Sequence, residues 1–348
     1  MAHPIRIALV GYGLAGQFFH APLIGVTEGL SLVAVVSRHK GRVHADLPDV
    51  TVVDELGEVL ANPTIELLVI ATPDTLHASQ ALAALEAGKH VVVDKPFAPT
   101  LAEAIQVAAR ATQRDRILTI FHNRRWDADF MTLQRLITED ALGEIVQFES
   151  HFDRLRPELS GSWKDERSAG VWQDLGPHLV DQAVQLFGMP QAVTADLTIQ
   201  RPGGLAPDYA HVLLRYPRLR VILHMSHLTH AGGLRYAVHG VRASYIKHGL
   251  DPQEQQSRAG MTPQDATWGI DTRLGSLIRV SADGTEHQQD VGNERGNYPR
   301  FYQRVRDAML GSAPNPVPHE QALAVMRVIE AGRISNIEKR EVLLEIAD

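Results

Sequence analysis

The stretch Ile5-Arg6-Ile7-Ala8-Leu9-Val10-Gly11-Tyr12-Gly13-Leu14-Ala15-Gly16 decides the fold. Its first six residues form a short, almost wholly apolar run, the pattern of a strand buried on both faces. The run stops at a GxGxxG, Gly11 to Gly16, and residues 14–24 then read as a helix. A glycine-rich turn between strand and helix, at the head of a βαβ unit, marks a dinucleotide site. Gly11 permits the tight turn, Gly13 lets backbone approach a pyrophosphate, and Gly16 lets helix and strand pack closely. Tyr12, Leu14 and Ala15 complete the loop, and the helix N-terminus supplies N–H donors and a partial positive charge.

Working outward, apolar runs at 32–36, 50–53, 67–71, 90–93 and 117–121 read as strands, with helices at 75–87 and 101–113. Runs apolar on both faces and separated by helices predict a doubly wound parallel sheet, the Rossmann arrangement, over residues 1–122. Beyond residue 122 the pattern changes. Helix at 127–137 precedes strands at 145–152, 193–200, 209–216, 219–228, 234–239 and 276–281, with helices at 298–310 and 319–337. Several of these strands alternate polar and apolar residues. Residues 123–348 are therefore expected to form an α+β domain with a large open, mostly antiparallel sheet. Two polar stretches, 154–170 and 250–269, are long for structureless loops and read as lids, interface arms or mobile segments.

Composition excludes several classes of function. The 348 residues carry a net charge of −7, so no basic surplus exists to neutralise nucleic-acid phosphates. Only six of the 34 basic residues are lysines, which makes each lysine informative. With no cysteine, disulfides, thiol nucleophiles and thiolate metal sites are all ruled out. No segment approaches the ~20 apolar residues of a membrane helix, and no cationic leader with a long apolar stretch opens the chain. The expectation is a cytoplasmic protein without membrane or nucleic-acid partners.

Four groups of residues carry chemistry. About 20 residues past the glycines, a diol-binding site would place an Asp or Glu. Here stand Ser37 and Arg38, followed by His39 and Lys40. A hydroxyl and a guanidinium suit a 2′-phosphate, which favours NADP while leaving NAD possible; the plain alternative is a solvated basic turn. Asp94-Lys95-Pro96 follows the 90–93 strand at its carboxyl end, where open α/β sheets bind ligands. Lys95 there reaches a substrate hydroxyl and lowers its pKa; otherwise it is a surface lysine. Asp174 and His178 bracket Pro177, which suits the first turn of a helix ending at Phe187. A histidine so placed stays neutral and, oriented by Asp174, acts as a base. The same pattern equally fits a capping carboxylate and a packed polar histidine. Trp163 and Trp172 flank this segment and either line a sugar cleft or pack in the core. His224, His227 and His230 suggest a metal by count, but a spacing of three in a strand puts neighbours on opposite faces, so no metal site is expected.

Taken together, GYGLAG (11–16), ATPDTLH (71–77), DKP (94–96) and GVWQDLGPHLVD (170–181) resemble the Gfo/Idh/MocA oxidoreductases, in order and over almost the whole chain. GQFFHAPLI (16–24), FHNRRWD (121–127), FDRLRP (152–157) and GLDPQEQQ (249–256) resemble the scyllo-inositol dehydrogenase-like subgroup. The resemblance implies a nicotinamide cofactor, with Thr72, Pro73, His77 and Asp94 added to its contacts. It implies Lys95, Asp174 and His178 as catalytic residues and Asn123 as a substrate contact. It also implies hydride transfer to or from a cyclitol or sugar, and a homodimer or homotetramer. Asp94 departs from the family's usual Glu, and Val171-Trp172 from its small residues, which bears on the substrate. Relatives that cleave glycosides through transient oxidation, and non-catalytic dinucleotide-binding regulators, supply the alternative readings.

Overall fold

The computed structural model describes residues 3–159, 170–230 and 232–344. In chain order, the first part runs β1 (Ile5–Val10), α1 (Ala21–Gly25), β2 (Leu30–Val36), α2 (Lys40–Asp46), β3 (Thr51–Val53), α3 (Leu56–Ala61) and β4 (Leu67–Ile70). Then come α4 (His77–Glu86), β5 (His90–Val93), α5 (Leu101–Gln113) and β6 (Leu118–Ile120). The second part opens with α6 (Ala128–Thr138), β7 (Ile145–Asp153), α7 (Gly170–Phe187), β8 (Ala192–Thr198), β9 (Tyr209–Arg215) and β10 (Arg220–Ser226). It continues with β11 (Leu234–Gly240), β12 (Ser244–His248), α8 (Gln253–Arg258), β13 (Gly275–Val280) and β14 (Glu286–Val291). The chain closes with α9 (Pro299–Met309), α10 (His319–Glu338) and β15 (Val342–Leu343).

Strands β1 to β6 form one parallel sheet in the order β3-β2-β1-β4-β5-β6. That is the doubly wound order expected of a dinucleotide fold, with the strand order reversing beside β1. Its central strands β1, β4 and β5 are buried along both faces, as their apolar runs require. The other nine strands form a second sheet, β14-β13-β12-β11-β7-β10-β9-β8-β15. All its neighbours are antiparallel except β7 and β10, which run parallel. Helix α7 lays Val171, Trp172, Leu175 and Leu179 on one face of this sheet, against Phe148 and Phe152 of β7.

The described chain divides into two compact units that are discontinuous in sequence. One comprises residues 1–126, 253–268 and 297–323, the other 127–252, 269–296 and 324–348. The returns to the first unit have visible causes. Phe121 packs edge-on against Phe301, and the Asn315 amide donates to the Leu118 carbonyl. The Gln253 side chain donates to the Trp126 carbonyl and accepts from the Tyr298 N–H, while Arg124 pairs with Glu254. The 250–269 stretch, read from the sequence as a lid, interface arm or mobile segment, carries α8, and these bonds hold its start. Of the other long loop, 160–169, together with Trp163, lies outside the described residues.

Helix α7 differs from its expected form. It begins at Gly170, so Pro177 stands inside it and not in its first turn. Gly170 sets that start: its φ is +49°, and a Cβ there would stand 1.8 Å from the Pro207 carbonyl oxygen. Pro177 costs one helical hydrogen bond, to the Gln173 carbonyl, which burial of Leu175, Leu179, Val180 and Ala183 around it offsets.

Candidate active site

In the first unit the glycine loop is built as its spacing demands. Gly11 has φ +95°, and a Cβ on it would lie 2.8 Å from the Ala71 carbonyl oxygen. A Cβ on Gly16 would lie 2.3 Å from the Gly11 oxygen, so helix and loop meet there only because the side chain is a hydrogen. At Gly13 no described atom stands within 4 Å of the Cβ position. The backbone is open at the residue that must approach a pyrophosphate, at the start of the helix that includes a π-helical turn over Gly16–His20. Tyr12 is buried beneath the loop, its hydroxyl donating to Asp46 at 3.0 Å, and Gln17 donates to the same carboxylate at 2.7 Å. Burial and the Asp46 carboxylate push the Tyr12 phenol well up.

Ser37 and Arg38 follow β2 directly. Ser37 Oγ accepts from the His39 N–H at 3.2 Å, which shapes the turn, and the exposed Arg38 guanidinium has no partner among the described residues. No acid stands at this strand end, so the residues fit a phosphate better than a ribose diol. Arg42, on the next turn, is held by Gln17.

The loops after β4 and β5 are clamped together by His77. Its Nδ1 lies 2.8 Å from the Pro96 carbonyl and its Nε2 lies 2.9 Å from that of Thr72. The ring is 1% exposed. His77 therefore positions the Thr72–Pro73 and Lys95–Pro96 segments. Thr72 Oγ1 donates to Gln80, and Pro73 is exposed. Half-buried Lys95 leads into a cis peptide bond to Pro96, and its own N–H donates to Asp94 Oδ1 at 2.8 Å. Asn123 is buried in the turn that follows β6.

Two residues near Asp94 were not singled out from the sequence. His20 is fully buried, its ring centroid 4.3 Å from that of Phe121 and tilted to it by 46°, with Nδ1 2.7 Å from the Tyr302 hydroxyl and Nε2 3.9 Å from Asp94 Oδ1. Burial, against the pull of Asp94, pushes His20 down to about 4, so the ring is neutral. Its only sequence signal was its place within the GQFFHAPLI match.

In the second unit Asp174 and His178 stand one turn apart on α7, which puts them on one face. His178 is buried and stacks on Phe152, with ring centroids 6.2 Å apart. Because α7 starts eight residues before His178, the expected helix-terminus effect on this ring does not operate; the ring packs on Phe152 instead. His227 lies within electrostatic reach of Asp174. Burial and then Arg201, Arg156 and Arg154 push it down to about 4, against the pull of Asp174.

Trp172 corrects a second expectation. It is 0% exposed, its Nε1 donates to the Ile329 carbonyl at 2.9 Å, and Gly176 and Gly332 press on its ring. It is a core residue, not a cleft lining. The departure from small residues at this position is absorbed by those two glycines.

Comparison with known proteins agrees with this layout. Residues 5–122 match the oxidoreductase family's NAD-binding Rossmann fold, and residues 134–344 match its C-terminal alpha/beta domain. The chain is 49% identical to the uncharacterized oxidoreductase YdgJ of Escherichia coli, over 95% of this chain and 96% of that protein. It is 38% identical to the scyllo-inositol 2-dehydrogenase (NADP(+)) IolW of Bacillus subtilis, over 98% of this chain and 96% of that one. The solved structure of YPO2259 from Yersinia pestis superposes with a TM-score of 0.96 at 46% identity, covering 100% of this chain and 99% of that one. With both domain profiles matched in order on a doubly wound sheet and a nine-stranded sheet, this chain belongs to the Gfo/Idh/MocA family of oxidoreductases.

Proposed function

We propose that the chain is an NADP(H)-preferring dehydrogenase acting on a secondary hydroxyl of a cyclitol or sugar, or on the matching ketone. The observation that carries the reading is the set of residues kept on this fold. Lys95 follows β5 beside Asp94, Asp174 and His178 share one face of α7, and an unpaired Arg38 follows β2. The similarity to IolW supports the substrate class and the phosphorylated cofactor.

The nicotinamide, when bound, supplies the hydride acceptor or donor. The chain's residues do the rest. His178 takes the proton of the reacting hydroxyl, and Asp174 holds the imidazole in the orientation that accepts it. Lys95 positions the substrate and stabilises alkoxide character. Gly13 and the helix N-terminus hold the pyrophosphate, and Ser37 and Arg38 hold the 2′-phosphate.

The test is a set of initial rates with scyllo-inositol, myo-inositol, glucose and keto-sugars, each with NAD(H) and NADP(H) separately. Turnover of a polyol with preference for NADP supports both parts of the reading. Turnover with NAD alone removes the phosphate pocket, and no turnover in cofactor-binding protein removes the dehydrogenase.

A further inference from the structure

The face of the nine-stranded sheet opposite α7 carries a cluster that no step above uses. Side chains alternate along β7: Phe148, Ser150 and Phe152 are fully buried, and Phe148 and Phe152 pack with α7, so Glu149, His151 and Asp153 point the other way. Because β10 runs parallel to β7, with His224 paired to His151, the two imidazoles stand side by side on that outer face. Their ring centroids are 4.8 Å apart. Asp153 lies between them, one carboxylate oxygen 3.0 Å from His224 Nδ1 and the other 3.6 Å from His151 Nδ1. One donor atom from each of the three residues lies within 4.8 Å of the other two.

We propose that His151, Asp153 and His224 form a binding site for a divalent transition-metal ion of the zinc class, with Glu149 as the outer carboxylate that orients His151. Three arguments support it. The first is donor chemistry: two imidazole nitrogens and a carboxylate suit zinc and its neighbours, whereas Mg2+ and Ca2+ prefer oxygen alone. The second is spacing. Ligands about 2.0–2.2 Å from a tetrahedral ion lie about 3.3 Å from one another; the two Asp153 oxygens stand 3.0 Å from His224 Nδ1 and 3.6 Å from His151 Nδ1, and one donor atom from each residue, within 4.8 Å of the others, would draw in around the ion. The third is the outer shell. Glu149 Oε2 lies 3.5 Å from His151 Nε2, the nitrogen left over when Nδ1 binds, and Gln147 donates to its other oxygen at 2.6 Å. The Glu149 and His151 atoms do not yet form a hydrogen bond, and a small shift of either side chain would complete the carboxylate–histidine–metal arrangement that sets tautomer and ring orientation.

Charge points the same way. No lysine or arginine among the described residues pairs with Asp153 or Glu149. Asp153 and Glu149 bring two carboxylates to the cluster, and a dication would balance them. The ion would bridge the sheet's parallel pair behind Phe152, whose ring stacks on His178. His227 and His230 lie beyond the end of β10 and take no part.

The test is equilibrium dialysis of chelator-treated full-length protein against Zn2+, with bound metal counted by elemental analysis and melting followed in parallel. The expected result is one ion per chain and a raised melting temperature. His151→Gln and His224→Gln should each weaken binding at least about tenfold, while His230→Gln, at an exposed histidine, changes nothing. Glu149→Gln, which leaves all three ligands in place, should weaken binding less than either. Co2+ absorption in the visible should report low coordination in the wild type and lose intensity in His224→Gln. No stoichiometric Zn2+ in folded wild-type protein, or binding equal in wild type and in the His151→Gln/His224→Gln double variant, overturns the site.

Discussion

The Tyr302 hydroxyl sits 2.7 Å from Nδ1 of His20, and both side chains are wholly shielded from solvent. With the phenol donating, the neutral ring carries its proton on Nε2, the nitrogen that faces Asp94. A residue of the helix behind the glycine loop and one on α9 thus pair behind the carboxylate that precedes Lys95.

This pair predicts a pH dependence. His20 titrates near 4 in the folded chain, against its ordinary 6.5 when unfolded. Between those values the unfolded chain binds more protons, so stability is complete above pH 6.5 and falls as pH drops toward 4. The loss between pH 7 and pH 5 should be about 2 kcal/mol. Urea unfolding of wild type and His20→Phe at the two pH values checks it. The variant should be less stable at pH 7 and less sensitive to acid; equal sensitivity would place the titration elsewhere.

Lys95→Ala should lower kcat by at least about 100-fold, with cofactor affinity changed only modestly. Steady-state rates and quenching of protein fluorescence by NADPH separate the two effects. Near-normal turnover would remove Lys95 from the chemistry.

Arg38 has no partner among the described residues, so its replacement disturbs no ion pair there. Arg38→Ala should cut kcat/KM for NADP about 10- to 100-fold, the worth of a charge-assisted hydrogen bond to phosphate, and leave NAD nearly unaffected. Equal losses with both cofactors would mean that Arg38 does not read the 2′-phosphate.

Trp172→Phe should cost about 2 kcal/mol of stability, from a cavity beside Gly332 and the lost hydrogen bond of the indole to the Ile329 carbonyl. KM for the polyol should stay within about twofold if Trp172 acts only through packing. Chemical denaturation and substrate saturation curves measure these separately.

The first sheet was legible because its strands are apolar on both faces and glycine or helix patterns punctuate them. Much of the second sheet was legible by alternation, but β12 and β14 were not. Strand β14, Glu286–Val291, is an exposed edge with one buried residue, so no face marks it. Strand β12 hides Lys247, which bonds Asp271 at 2.8 Å inside the unit and reads as surface in the sequence. Helix α7 was begun too late because proline usually stands in a first turn, whereas here tertiary burial carries the helix through it. Lys95, Asp174 and His178 stood out by motif. The partners of His20 and His224 did not, since Tyr302 and Asp153 come from distant segments that only the fold brings near.

The account rests on hydride transfer between a polyol carbon and the nicotinamide. The most direct measurement uses scyllo-inositol deuterated on its ring carbons, incubated with NADP+ and enzyme, with the reduced cofactor examined by proton NMR. The account predicts deuterium at one face of the nicotinamide C4 and its loss with Lys95→Ala. NADPH that forms without deuterium, or no NADPH in protein shown to bind NADP+ and the polyol, would contradict it.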